Sequence, residues 1–170
     1  GTGYLGATHA ACMANMGFET LGIDTDSSKI KILESGALPF YEPELAELLS
    51  SEVKSGRLKF TTDISAVKDC DVHFLCVGTP QKNNSLAADL SYVEAAVTAI
   101  APHLKAGSLL VGKSTVPVGT AQILREKLSK LAPHAELAWN PEFLREGFAV
   151  EDTLHPNRLV VGVTSDRAEN

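Results

Sequence analysis

The chain has 170 residues, of which 21 are Asp or Glu and 15 Lys or Arg, giving a formal net charge of −6; 44% are hydrophobic and 21% charged. This length suits one domain, or one domain with a piece of another, and the composition supplies a core while excluding disordered, collagenous and coiled-coil chains. No apolar run approaches the roughly 20 residues that span a bilayer, no basic and apolar leader opens the chain, and no Lys/Arg run favours nucleic acid, so the expected setting is the cytoplasm, with no membrane or nucleic-acid partner.

The chain opens, without Met, in Gly1-Thr2-Gly3-Tyr4-Leu5-Gly6. Leu5, Cys12 and Met16 then recur at helical spacing through an Ala-rich stretch that Gly17 stops. Residues 19–23 read as a strand ending at Asp24. Ser27-Ser28 is expected to cap a helix carrying Ile30 and Leu33, closed by Gly36. After a Pro/aromatic loop over 38–43, Pro43 opens a helix whose Leu45, Leu48 and Leu49 face inward, with Glu42 and Glu44 at its positive end. Strands follow at 58–61 and 72–77, the second running into Gly78-Thr79-Pro80. Val93, Ala96, Val97, Ile100 and Leu104 share one helix face. A strand over 108–111 leads to Lys113-Ser114-Thr115, and Ala121, Leu124, Leu128 and Leu131 mark another helix. Strands are expected at 136–139, before Asn140-Pro141-Glu142, and at 159–163.

Strands alternating with helices predict an α/β fold, a doubly wound parallel sheet covered on both faces. In such sheets ligands sit beyond the carboxyl ends of the strands. The opening motif is G-x-G-x-x-G leading into a helix, the arrangement that holds a dinucleotide pyrophosphate. Gly1 permits the tight turn, Gly3 the close approach of backbone to phosphate, and Gly6 the packing of helix on strand. A Rossmann-like turn of this kind follows a strand, so a short apolar strand is expected before Gly1. Asp24, eighteen residues after Gly6, is placed to accept the adenine ribose hydroxyls. A 2′-phosphate there would meet like charge, so NAD is expected over NADP.

Glu142 and Glu146 are spaced i, i+4, so a helical turn would put both on one face beside Arg145. They read either as solvated acids or as a base at a strand end. Thr115 reads either as a turn cap or as a hydroxyl that binds water or substrate. Cys12, Cys70 and Cys76 read as small core residues, and the five scattered His predict no metal site.

Taken together, these motifs resemble the nucleotide-sugar 6-dehydrogenases of the UDP-glucose/GDP-mannose dehydrogenase family, the UDP-glucose branch above all. The resemblance rests on the glycine turn, Asp24 with Lys29, Pro39-Phe40-Tyr41-Glu42-Pro43 and Gly78-Thr79-Pro80. It continues through Ala88-Asp89-Leu90-Ser91-Tyr92 and Lys113-Ser114-Thr115-Val116-Pro117-Val118-Gly119. It ends with the run from Asn140 to Gly147 and with Pro156-Asn157-Arg158. It implies oxidation of a sugar 6-hydroxyl to the acid, UDP-glucose to UDP-glucuronate in that branch, with two NAD⁺ reduced and a cysteine thioester hydrolysed on the way. By position, Glu142 is expected to activate the hydrolytic water and Thr115 to help hold it. The implied cofactor contacts are Gly1, Gly3, Tyr4, Leu5, Gly6, Asp24, Lys29, Thr79, Thr115 and Glu146. Glu142, Phe143, Leu144, Arg145 and Glu146 would line the nucleotide-sugar site. The resemblance further implies that the family's catalytic Cys, Lys and Asp, and its long dimerisation helix, are to be expected in a C-terminal half outside these residues. Residues 1–170 are therefore expected to be the NAD-binding domain of a homodimeric enzyme, inactive alone. The alternatives are GDP-mannose or UDP-N-acetyl-hexosamine as substrate, or a non-catalytic dinucleotide-binding module on the same fold.

Overall fold

Glycine, proline and capping carboxylates punctuate the chain into short helices and strands. The computed structural model describes residues 1–163 and 165. The first elements are α1 (Tyr4–Asn15), β1 (Thr20–Ile23), α2 (Ser27–Glu34), α3 (Leu45–Ser55) and β2 (Leu58–Thr61). A 3-10 turn (Ile64–Asp69), β3 (Val72–Leu75) and α4 (Ser91–Ile100) follow, then a second 3-10 turn (Ala101–His103) and β4 (Leu109–Gly112). The last are α5 (Thr120–Leu131), β5 (Glu136–Trp139) and α6 (Ala149–Leu154). Two compact units form, residues 1–63 with 143–159, and 64–142 with the described residues from 160 onward.

In the first unit β1 and β2 pair in parallel, Thr20 opposite Leu58. Their inner residues meet Ala7, Ala11, Cys12, Ile30, Leu33, Leu45 and Leu49 in one core. The face α1 buries is made mostly of Ala, Gly and Cys, with Thr8 and His9, whereas Met16 sits at its C-cap, 56% exposed. Small residues let that helix approach the strands closely. Asp26, not Ser27-Ser28, caps α2; its Oδ1 accepts from Ser28 N at 2.9 Å and Lys29 N at 3.1 Å. A carboxylate is the stronger acceptor there because it also meets the positive end of the helix dipole.

In the second unit β3, β4 and β5 form a parallel sheet in that order. All the described strand ladders are therefore parallel, as the alternation of strands and helices predicts. Val93, Val97, Leu110, Leu124 and Leu128 are buried between sheet and helices. Leu104 lies past α4, because Pro102 gives way to the 3-10 turn. No strand forms over 159–163: a single antiparallel bridge joins Gly162 to Trp139. The Val160 carbonyl accepts instead from Asn140 Nδ2 at 2.9 Å, which interrupts the ladder, and Leu159, Val160 and Val161 stay exposed.

Gly112 ends β4 beneath the Trp139 indole. A methyl group on it would lie 2.2 Å from the ring, which is itself buried and donates Nε1–H to the Ser114 carbonyl at 3.2 Å. Gly112→Ala is expected to lower stability by about 1–3 kcal/mol. A thermal melt unchanged from wild type would mean the ring yields freely.

His73, on the inner face of β3, is 6% exposed. Burial, with the Lys105 charge, lowers its imidazole to about 4 despite Asp71. The folded value lies below the ordinary one of about 6.5. The stability His73 contributes is therefore complete above that pH and is lost as pH falls toward about 4. Across that window the loss is up to about 3 kcal/mol, and His73→Gln should flatten it. Melts recorded over the same pH range with equal slopes in both proteins would contradict this.

Candidate functional site

In the first unit the glycine turn delivers an open helix end. Gly3 is the N-cap of α1 in extended conformation, no side chain caps the helix and no acid occupies its first turn. A Cβ on Gly3 would meet nothing within 4 Å, so the space before the helix is free for a phosphate that a side chain would displace. The first-turn N–H groups and the helix dipole favour an anion there. Tyr4 and Leu5 form that first turn, and Gly6 is buried against the unit's core.

Asp24 locks this turn to the end of β1. Its Oδ2 accepts from Thr2 N at 2.7 Å, Thr2 Oγ1 at 3.1 Å and Lys29 Nζ at 2.9 Å. Its Oδ1 accepts from Asp26 N at 3.0 Å. Burial alone would push this carboxyl up. The bonds from Lys29, Thr2 and Asp26 outweigh it and hold the group well below the usual carboxylate range. Oδ2 carries three of these donors and Oδ1 one, so Oδ1 is the oxygen with room for a ribose hydroxyl. An anion-ready helix end beside a fixed carboxylate fits a dinucleotide diphosphate with an unphosphorylated ribose.

The same unit holds the loop 143–148. It does not form the helical turn that the spacing of Glu142 and Glu146 predicts. Pro141 lacks an N–H, and the following backbone donors are engaged elsewhere: Glu142 N at the Lys113 carbonyl, Arg145 N at Asp152 Oδ2, and Gly147 N at Glu42 Oε2. Arg145 pairs with neither glutamate; its guanidinium grips Asp152 at 3.0 and 2.7 Å and lies 4.8 Å from the Phe148 ring. Arg145 thus shapes the loop, and Glu146 is exposed on it.

Glu42 is the residue sequence reasoning misplaced. It does not serve α3, whose N-cap is Glu44. It is 4% exposed, and its carboxylate takes the Tyr4 hydroxyl at 2.7 Å, Gly147 N at 2.9 Å and Ala149 N at 2.8 Å. It therefore stands at the start of α6, more than 100 residues away in the chain.

In the second unit the carboxyl ends of three parallel strands are stitched together. Thr79 Oγ1 after β3 donates to the Thr115 carbonyl at 2.8 Å, and Ser114 Oγ donates to the Val77 carbonyl at 2.6 Å. Ser114 thus holds the β3 and β4 loops together. Glu142 N after β5 donates to the Lys113 carbonyl at 3.1 Å. Thr79 and Glu142 are half-buried, and Thr115 is exposed. Lys113 is buried and donates to Asn140 Oδ1 at 3.0 Å. Burial lowers its ammonium, while Cys76 and the charge of Glu142 act the other way. Its only signal in the sequence is a cation at the end of an apolar strand.

Among the described residues no helix is long and apolar enough to cross a membrane, and no group of three or more metal-ligating side chains gathers. Residues 1–170 match the model of the UDP-glucose/GDP-mannose dehydrogenase family, NAD binding domain. The chain is 44% identical over 172 residues to UDP-glucose 6-dehydrogenase TuaD of Bacillus subtilis, covering 99% of this chain and 37% of that protein. It is 45% identical to the UDP-glucose 6-dehydrogenase of Rhizobium meliloti, covering 96% and 38%. Among solved structures it resembles a ternary complex of GDP-mannose dehydrogenase from Pseudomonas aeruginosa, with TM-score 0.94 and 36% identity over 99% of this chain and 41% of that one. A UDP-glucose dehydrogenase from Pyrobaculum islandicum follows, with TM-score 0.93 and 40% identity over 99% and 40%. The chain spans less than half the length of each.

Proposed function

Since the chain belongs to the UDP-glucose/GDP-mannose dehydrogenase family and is an NAD-binding domain of it, we propose that the full-length protein oxidises UDP-glucose to UDP-glucuronate. NAD⁺ held by this domain would supply the hydride acceptor, one molecule for each of two successive oxidations. The open N-terminus of α1, with Gly1, Gly3, Tyr4, Leu5 and Gly6, holds the pyrophosphate, and Asp24 Oδ1 accepts from the adenine ribose beside Lys29. Thr79, Thr115 and Glu146 complete the cofactor contacts. Phe143, Leu144, Arg145 and Glu146 line the nucleotide-sugar site together with Glu142.

In the hydrolytic step Glu142 takes a proton from water as the water oxygen bonds to the acyl carbon. The carbon–sulfur bond breaks, and the thiolate leaves on a cysteine outside these residues. Thr115, fixed through its carbonyl by Thr79, holds that water with its hydroxyl. Lys113 adds a positive charge whose field reaches Glu142. By the same family resemblance the full-length protein is a cytoplasmic homodimer, and residues 1–170 alone do not turn over.

The observation that carries the reading is the order of the second unit's strand ends. They place a carboxylate, a threonine pair and a buried cation on one edge of a parallel sheet. Identity to proteins named UDP-glucose 6-dehydrogenase supports that sugar. The likeness to a GDP-mannose dehydrogenase keeps GDP-mannose as the second reading. NADH formation by the full-length protein, offered UDP-glucose, GDP-mannose and UDP-N-acetyl-hexosamines in turn, separates them. UDP-glucose is expected to be preferred, and no NADH with any of them would favour a binding module instead.

A further inference from the structure

Glu42 lies outside every role assigned so far, yet it joins three distant parts of the first unit. One carboxylate, 4% exposed, is shared by the Tyr4 hydroxyl on the glycine turn's helix and by the backbone N–H groups of Gly147 and Ala149 at the end of the loop 143–148. Burial pushes its carboxyl up, but these three hydrogen bonds outweigh that and keep it ionised. Burial and the neighbouring charges of Glu42 and Glu146 push the Tyr4 hydroxyl up, so it remains a donor. The Tyr4 ring is held in turn by Phe40, two residues before Glu42, with ring centroids 5.3 Å apart.

We propose that Glu42 is a positioning residue that couples the two ligand sites: through Tyr4 and the Gly147 and Ala149 N–H groups, it makes an occupied cofactor turn order the loop 143–148 for the nucleotide sugar. This rests on the reading that the turn holds NAD and that the loop lines the sugar site. A dinucleotide at the start of α1 restrains Tyr4, whose hydroxyl restrains the Glu42 carboxylate, which fixes the loop backbone. The coupling is reciprocal, so the sugar tightens NAD by the same factor.

Substituting Gln leaves one acceptor oxygen for three donors and turns an NH₂ toward a backbone N–H. Whichever way the amide faces, one buried donor loses its partner.

The test uses the full-length protein and calorimetric titration of UDP-glucose with and without saturating NADH. In wild type NADH is expected to tighten UDP-glucose. In Glu42→Gln that enhancement should shrink by about tenfold, the equivalent of one unsatisfied buried donor. Tyr4→Phe removes the hydroxyl that links the turn to Glu42 without stranding a backbone N–H, and should shrink it at least as much while leaving the loop's own hydrogen bonds to Glu42 in place. Wild type that binds neither ligand overturns the functional reading and this inference with it. Binding of both ligands without any enhancement overturns the inference alone. So does an enhancement retained in both variants, or in Tyr4→Phe where Glu42→Gln does not fold.

Discussion

Glu142→Gln in the full-length protein is expected to cut turnover of UDP-glucose by about 10²–10⁴-fold, the contribution of a positioned general base. Gln keeps the volume and the backbone N–H that bonds the Lys113 carbonyl, so the strand-end arrangement should persist. What disappears is the oxygen that can take a proton from water, and no His lies between Asn140 and Gly147 to replace it. NAD binding should be unchanged, because Glu142 is not among the proposed cofactor contacts. The oxidations proposed to precede hydrolysis should still proceed, so a covalent sugar adduct should accumulate and be visible by intact-protein mass spectrometry. Turnover near the wild-type rate with no adduct would reduce Glu142 to a structural acid.

Asp24→Ala should do two things at once. It takes the acceptor from Thr2, which is 1% exposed and gives Asp24 both its N–H and its hydroxyl, destabilising the turn by about 1–3 kcal/mol. It also removes the charge that repels a 2′-phosphate, a repulsion on the order of 4 kcal/mol at about 4 Å and an effective dielectric of about 20. The preference for NAD over NADP should therefore fall by up to about 10³-fold, and NAD itself should bind more weakly. Paired titrations of NAD and NADP against wild type and variant measure both effects. Equal affinity of the wild type for the two cofactors would remove the premise.

Much of this was legible in the residues because local chemistry set it. The glycine turn, the helices with Leu and Val on one face and the strands ending in polar runs follow from periodicity and punctuation alone. The distance of Asp24 from Gly6 points to the end of the first described strand, and there its carboxylate meets the glycine turn through Thr2. Where long-range hydrogen bonds decide, the same rules missed. The i, i+4 spacing of Glu142 and Glu146 suggested a helical turn, but their loop gives its N–H groups to Lys113, Asp152 and Glu42. The apolar run at 159–163 has the composition of a strand, yet Asn140 takes the Val160 carbonyl that a ladder would need. Glu42 beside Pro43 looked like a first-turn acid for the next helix. Its true partners lie 105 and 107 residues on, at separations no local pattern reports.

The most direct measurement is the number of NADH formed by the full-length protein for each UDP-glucose consumed, with the sugar product identified. A hydrolytic carboxylate at Glu142 has work to do only if oxidation continues past the aldehyde to an acyl intermediate. The prediction is two NADH per sugar and UDP-glucuronate as product. One NADH per sugar with an aldehyde released, or no reduction of NAD⁺ by any nucleotide sugar, would contradict it.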